Sequence, residues 1–432
     1  MAIRKEISPA RRAAFEILRR VADGAFSSVL LALEEPTLKP ADRSLTHELV
    51  LGVLRWQLWL DRVIEHFAQR RVESLDLPVR IALRLGLYQL RFLTRIPAAA
   101  AVNESVSLVR RVKLSSAAAL VNAVLRRAIR EGDYDPAAEV DDPLVRVSVQ
   151  TSHPLWLLER WVKAFGLAEA EAFARANNQV PPMAFRVVRS RTSVDDVVSV
   201  LTDAGVSVQP SSIARGAFRV FGGATVLREL SAAGQIYLQD EASQLVAEVL
   251  DVQRGDRVLD LCAAPGGKTT LSADHSHDDA LIVAADRYAA RIATITNTAA
   301  LHRLHSIKPV LLDGLQPLPF RAATFDRILV DAPCSGTGTL RRNPEIRYRL
   351  SNNDIGEFSA AQKQFLANAV EVLKPGGRLV YSTCSVERDE NELVIESFLS
   401  MHPDLHLVNS TRTWPHKDGS DGFFIATLER QP

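Results

Sequence analysis

The chain has 432 residues, of which 47% are apolar and 24% charged, with a formal net charge of +1. At roughly 150 residues per domain this length predicts two or three domains, and the composition is that of an average soluble globular protein, which excludes disorder, collagen or a coiled coil as the main plan. A spanning helix needs about 20 consecutive apolar residues, and the best run, Leu45 to Ile64, is cut by His47, Glu48, Arg55, Asp61 and Arg62, so no membrane segment is expected. The N-terminus, MAIRKEISPARRAAF, has charge but neither an apolar core nor a small-residue cleavage site. It does not read as a secretory signal, and a cytoplasmic location is expected.

From Pro9 to about Arg130 apolar residues recur at three- and four-residue spacing, as in AAFEILRRV, LTHELVLGVLRW and AAALVNAVLRRAI, which predicts an all-helical domain. Residues 1–130 hold 22 Lys and Arg against 12 Asp and Glu (+10), leaving 30 against 39 (−9) for the remainder. An Arg-rich N-terminal part suggests a polyanion partner. An acidic, Pro-bearing stretch from Glu131 to Pro143 reads as a linker or solvated loop, and the first boundary is placed at about residue 140. Residues 145–235 mix helical patterns (PLWLLERWVKAFG, AEAEAFARAN) with β-branched or aromatic runs (MAFRVV, AFRVF), predicting a small α+β module. From Ile236 to the end, short buried-strand runs alternate with helical segments: RVLDLC, LIVAAD, KPVLLD, DRILVDAP and GRLVYSTC, then LHLV and GFFIATL. That alternation predicts a parallel, doubly wound α/β sheet.

The first of these strands runs into Cys262-Ala263-Ala264-Pro265-Gly266-Gly267-Lys268-Thr269, a small-residue loop before a helix, which lets a ligand approach backbone N–H groups. A phosphate-binding P-loop would need glycine where Cys262 stands, so Gly267-Lys268-Thr269 fits only its end. The next strand ends in Asp286, 20 residues beyond Gly266, where a carboxylate can accept from both hydroxyls of a ribose. The third ends in Asp313, at the same sheet edge, within reach of an adenine amino group. A nucleoside cofactor is favoured over a nucleotide triphosphate.

All three cysteines, Cys262, Cys334 and Cys384, follow strands of this last block, and reduced thiols are expected. Cys262, after an apolar strand, reads as a small buried hydrophobe. Cys334 lies in Asp331-Ala332-Pro333-Cys334-Ser335-Gly336 and Cys384 in Ser382-Thr383-Cys384-Ser385; adjacent parallel strands would bring both thiols to one cleft. Zinc would need four ligands at short paired spacings, and a redox pair of thioredoxin type needs C-x-x-C; neither occurs. Nucleophilic catalysis is the leading use.

Taken together, QDEAS (Gln239 to Ser243), DLCAAPGGKT, DAPCSGTGTLRRNPEIR, LKPGGRLVYSTCS and the terminal DGFF resemble the consecutive motifs of the S-adenosylmethionine-dependent RNA cytosine-5 methyltransferases. The basic helical block resembles the NusB-like domain of their small-subunit ribosomal RNA branch, the RsmB (Sun/Fmu) type. The resemblance implies three domains: a NusB-like RNA-binding domain over residues 1–140, a small RRM-like module over 145–235, and a Rossmann-like methyltransferase domain with a seven-stranded, mostly parallel sheet over 236–432. It implies that Cys384 attacks carbon 6 of a cytosine, that Cys334 assists product release, that Asp331 hydrogen-bonds the base edge, and that Lys268 holds Asp331 and the cofactor loop. It also implies S-adenosylmethionine bound by Cys262, Ala263, Ala264, Pro265, Gly266, Gly267 and Lys268, with Asp286 on the ribose, Asp313 on adenine and Asp331 alongside. Small-subunit ribosomal RNA is the implied partner, with the chain a monomer, no membrane and no metal. The loop Arg341-Arg342-Asn343-Pro344 reads either as an RNA-phosphate contact or as an exposed charged loop. The competing function is a NusB-like RNA-binding factor carrying a non-catalytic methyltransferase scaffold.

Overall fold

The helical periodicity of the first block is realised in helices Pro9–Ala22, Ser27–Glu34, Pro40–Arg55, Gln57–Ala68, Leu77–Phe92, Ala98–Arg111 and Ala118–Glu131. Pro9, Pro40 and Pro78 stand in first turns, where the missing N–H leaves no intrahelical bond unmade. Their apolar stripes meet in one core, with Phe15, Leu49, Ile64, Leu83 and Leu125 completely buried. In this computed structural model, which describes residues 7–432, the chain forms two compact units: residues 7–180 with Leu340–Arg349, and Pro181–Thr339 with Leu350–Pro432. No helix among the described residues is long and apolar enough to cross a membrane.

The first unit therefore includes ten residues from far along the chain. Glu345 is buried at the start of helix Ser27–Glu34, where Oε1 accepts the Ser27 N–H (2.8 Å) and Oε2 its hydroxyl (3.0 Å). Arg347, completely buried, donates from Nη1 to Arg55 O (3.3 Å), Ser152 O (3.2 Å) and Asn178 Oδ1 (3.0 Å). Arg349 donates to Val21 O (2.7 Å) and Ala25 O (2.5 Å), and Arg55 Nη2 donates to Arg341 O (2.9 Å). The last carbonyls of a helix lack intrahelical donors, and the guanidinium groups of this segment supply them. The expectation of an exposed charged loop over Arg341 to Pro344 is corrected accordingly: Arg341, 3% exposed, and Pro344 are buried, while Arg342 and Asn343 are half-buried.

In the second unit β1 (Met183–Val187), β2 (Ser207–Pro210), β3 (Ala217–Phe221) and β4 (Ile236–Leu238) form an antiparallel sheet of order β2-β3-β1-β4. Helices Val194–Asp203 and Ala224–Ala232 fall between strands to give a βαββαβ succession. Ile236–Leu238, expected to open the methyltransferase domain, instead closes this sheet, because Ile236 is buried among Phe185, Val220 and Leu227.

The larger sheet comprises β5 (Arg257–Asp260), β6 (Leu281–Asp286), β7 (Ile307–Leu311), β8 (Phe325–Asp331), β9 (Leu373–Thr383), β10 (Leu405–Arg412) and β11 (Phe424–Arg430), in the order β10-β11-β9-β8-β5-β6-β7. β5 to β9 pair in parallel and β11 runs antiparallel between β9 and β10. This is the expected mostly parallel seven-stranded sheet. Successive residues serve opposite faces: Leu259, Ile328 and Leu379 enter one core, Val258, Leu329 and Val380 the other. The strand order reverses at β5, flanked by β6 and β8, and ligands of open α/β sheets bind beyond the strand C-termini at such a switch point.

The buried guanidinium of Arg347 yields a stability prediction. Arg347→Met keeps much of the volume but strands carbonyls of Arg55 and Ser152, so the unfolding free energy of the helical unit should fall by about 2–4 kcal/mol. Urea denaturation followed by tryptophan fluorescence measures it; an unchanged midpoint would show that the segment merely rests on the helices.

Candidate active site

The parallel strands deliver a row of polar side chains to one edge. Asp286, Asp260 and Asp331 are the final residues of β6, β5 and β8, and Ser382 of β9 lies in register with Asp331. Asp331 accepts from Lys268 Nζ at Oδ2 (2.6 Å) and from Ser382 Oγ at Oδ1 (2.7 Å). Burial alone would lower the pKa of Lys268, but the charge and hydrogen bond of Asp331 outweigh it, with Cys384 and Asp260 adding, and hold the ammonium above its ordinary range. Lys268 also lies 5.3 Å from the Phe423 ring centroid, which gives the terminal DGFF motif a place in the site.

The two later cysteines meet as expected, with Cys334 Sγ 3.4 Å from Cys384 Sγ. Their loops are stacked backbone to backbone: the Gly338 N–H donates to Cys384 O (2.9 Å), and the Gly422 N–H to Gly338 O (2.8 Å). A Cβ on Gly338 would stand 1.9 Å from Gly422 O, so only glycine permits this approach. Cys334 is held well above the ordinary thiol range by its hydrogen bond to Cys384, by burial and by the nearby charges of Cys384 and Glu390.

Beside these groups lies a cavity of about 160 Å3, lined by Cys262, Ala263, Ala264, Pro265, Gly267 and Lys268 of the loop, by Asp260 and Asp331, and by Tyr237, Leu238, Gln239 and Ser243. Gly266, left-handed at φ +101°, starts the helix Gly267–His275, and a Cβ on Gly267 would meet the Tyr237 ring at 2.8 Å. Asp260 is buried; Oδ2 accepts from Thr269 Oγ1 (2.6 Å), while Oδ1 makes no well-formed hydrogen bond among the described residues. Burial pushes its pKa up to about 7, the Asp331 charge adding, and the Thr269 hydrogen bond, Lys268 and the Cys262 N–H offsetting in part. The residues thus leave a small-walled cradle and an acceptor free for a polar ligand.

Asp286 and Asp313 stand along the same edge but outside this cavity's lining. Asp286 is 5% exposed, with Oδ1 accepting the Tyr288 N–H (3.0 Å) and Oδ2 3.8 Å from Arg291. Asp313 lies two residues past β7, half-buried, with Oδ1 accepting the Leu315 N–H (3.1 Å). Sequence reasoning missed Asp260, although an acid inside Val258-Leu259-Asp260-Leu261 is itself a signal. It also missed Ser382, which only the β8/β9 register reveals, and Tyr237 with Arg186 behind it. Arg186 of β1 lies 5.2 Å from the Tyr237 ring centroid and donates to Thr270 Oγ1 (2.8 Å), tying the small sheet to the helix after the loop.

Family models match three stretches of the chain: 16S rRNA methyltransferase RsmB/F over residues 247–429, the NusB family over 8–130, and the ferredoxin-like domain of RsmF/B-like methyltransferases over 153–226. Over 94% of its length the chain is 32% identical to the probable ribosomal RNA small subunit methyltransferase B of Bacillus subtilis (strain 168), of which it covers 95%. The chain belongs to the RsmB/F family of 16S rRNA methyltransferases. Within that family the ribosomal RNA small subunit methyltransferase B of Pseudomonas putida is 38% identical, with 90% of each chain covered. The crystal structure of PH0851 superposes with a TM-score of 0.86 at 28% identity, covering 98% of this chain and 99% of that one. The resemblance to the RsmB type of ribosomal RNA methyltransferase, the NusB-like block and the Rossmann-like sheet are thereby borne out.

Asp260 makes the site pH-sensitive. Its folded pKa near 7 lies above the ordinary 3.8, so the proton favours the folded state; that contribution is complete below pH 3.8 and is lost as pH rises through 7. Relative to Asp260→Asn, wild-type stability should fall by on the order of 3–4 kcal/mol between pH 4 and pH 8. Parallel denaturation curves at both pH values check this; a constant difference would place the proton elsewhere.

Proposed function

We propose that this chain methylates carbon 5 of a cytosine in small-subunit ribosomal RNA, with S-adenosylmethionine as methyl donor and a covalent cysteine–cytosine intermediate. The observation that carries the reading is the pair of thiols 3.4 Å apart at the strand edge that holds Lys268, Asp331 and Ser382. Carbon 5 of cytosine is a weak nucleophile, and addition of a thiolate to carbon 6 makes it enamine-like. Cys384 forms that C6–S bond, the electron pair displaced from the C5–C6 double bond moves through C4 to the ring nitrogen, which takes a proton from water, and Asp331, fixed by Lys268 and Ser382, accepts that N–H. The cofactor, when bound, supplies the methyl group as a sulfonium electrophile. Release reverses the addition: a water molecule takes the C5 proton, the C–H electron pair re-forms the C5–C6 double bond, and the sulfur of Cys384 leaves with the C6–S pair as a thiolate. Cys334, whose pKa is raised so that it keeps its proton, donates its S–H to that leaving thiolate. A non-catalytic scaffold would have no use for two adjacent thiols beside an ion pair.

For the cofactor, the loop from Cys262 to Lys268 and the open oxygen of Asp260 fit the methionine end. A ligand of that length extends along the strand ends toward Asp286 for the ribose and Asp313 for adenine. The helical unit, where Arg70, Arg71, Arg110, Arg111, Arg126 and Arg130 are exposed, supplies the basic surface for ribosomal RNA.

Cys384→Ala should abolish methyl transfer, whereas Cys334→Ala should methylate once and accumulate a denaturation-resistant protein–RNA complex. Gel analysis of radiolabelled unmethylated ribosomal RNA separates the two, and full turnover by Cys384→Ala would place the nucleophile elsewhere. Asp286→Asn preserves shape but removes one charged acceptor, so calorimetry should register roughly 10- to 100-fold weaker S-adenosylmethionine binding. Wild-type affinity in that variant would reject the ribose assignment.

A further inference from the structure

The two cysteine loops are tied together by a group outside both cysteine motifs. Glu390 ends the short turn Arg388–Glu390 and is completely buried. Its Oε1 accepts the Ser335 N–H (2.8 Å) and Gln362 Nε2 (3.1 Å); its Oε2 accepts the hydroxyls of Ser335 and, at 2.5 Å, Ser385. Ser335 follows Cys334 and Ser385 follows Cys384, so one carboxylate grips the residue after each cysteine. The residues before them are held by neighbouring side chains. Gln362 Nε2 donates to Pro333 O (3.0 Å), and Asn391 Oδ1 accepts from Thr383 Oγ1 (2.5 Å) while its Nδ2 donates to Ser385 O (2.9 Å). Tyr381 OH donates to Glu390 O (2.6 Å), fixing the turn against β9.

A buried carboxylate is costly unless its hydrogen bonds are made, and here they run chiefly to the two loops that carry the thiols. No atom of Glu390 is needed to touch either sulfur for this to matter. A thiol–thiol hydrogen bond is weak, and loops free to shift by about 1 Å lose near-attack geometry. We propose that Glu390 is a positioning residue that sets the separation of Cys334 and Cys384, so that the thiolate leaving carbon 6 is met at once by the Cys334 S–H. The inference rests on the covalent reading above. The Glu390 charge also contributes to the raised pKa of Cys334, which helps that thiol retain the proton it donates.

The bonds to Glu390 can be removed one loop at a time in the full-length protein. Ser335→Ala removes the hydroxyl bond from the Cys334 loop and Ser385→Ala that from the Cys384 loop, each together with the Ser335–Ser385 hydroxyl contact at 3.0 Å, and Glu390→Gln replaces one shared acceptor oxygen by a donor. With unmethylated small-subunit ribosomal RNA as substrate, Ser335→Ala should form the covalent complex at the wild-type rate but resolve it about 10-fold more slowly, and Ser385→Ala should instead slow its formation by a similar factor, as expected for one hydrogen bond to a charged acceptor. Glu390→Gln should slow both steps while S-adenosylmethionine affinity stays within about twofold, because the cofactor cavity contacts none of these residues. Independently of any reaction, oxidised glutathione closes Cys334 and Cys384 into a disulfide with release of two reduced glutathiones. The equilibrium constant for that closure should fall about 10-fold or more in Glu390→Gln as the effective concentration of the pair drops. Wild-type resolution in both Ser335→Ala and Glu390→Gln, an unchanged disulfide equilibrium, or a loss of cofactor affinity equal to the kinetic loss would overturn the inference. If the thiol-pair equilibrium shifts as expected while Cys384→Ala still methylates, the covalent reading has failed and the positioning geometry has not.

Discussion

The parallel register of β8 and β9 is the constraint on which the candidate site depends. It sets Asp331 opposite Ser382, so that each chain, leaving its strand at the same edge, reaches its cysteine within three residues. A slip of one residue would turn every side chain of β9 to the other face, removing Val380 from one core and Leu379 from the other and carrying Ser382 away from Asp331. The thiol pair is therefore as secure as the two apolar cores that fix the register.

Charge at that edge is arranged around one cation. Asp260 and Asp331 both end buried strands, and two carboxylates in a low-dielectric setting raise each other's cost of ionisation. Lys268 resolves the conflict in favour of Asp331, which takes the ion pair at 2.6 Å. Asp260, with the Thr269 hydroxyl and the Cys262 N–H, is the member pushed toward the neutral form by burial. The same lysine belongs to the loop that walls the cavity, so in the proposed reaction the cofactor loop, the base-facing carboxylate and the nucleophile share one electrostatic centre.

Much of this was legible in the sequence, and the exceptions have physical causes. Helical spacing and buried-strand runs located the helical block and the doubly wound sheet because both patterns are local. The thiol pair was legible because two cysteine motifs followed strands of one parallel sheet. Ile236–Leu238 was misassigned because a three-residue strand carries no periodicity, and only its pairing with β1 decides where it belongs. The Arg341 to Pro344 loop was misread because a charge-rich segment ordinarily stays in solvent; the burial of Arg341 goes with a bond that its carbonyl accepts from Arg55 Nη2, 286 residues away in the chain. Glu390 escaped notice for the opposite reason, since an acidic run after a strand resembles a surface turn until its partners Ser335 and Gln362 are seen.

The central claim is that Cys384 is the atom source of the covalent bond to cytosine. Wild-type protein incubated with S-adenosylmethionine and ribosomal RNA containing 5-fluorocytidine, which blocks loss of the group at carbon 5, should retain a nucleotide-modified peptide after digestion. Mass spectrometry of that peptide is predicted to place the nucleotide on Cys384, within Tyr381-Ser382-Thr383-Cys384-Ser385. A nucleotide found on Cys334 or Cys262, or on no cysteine, would contradict the account.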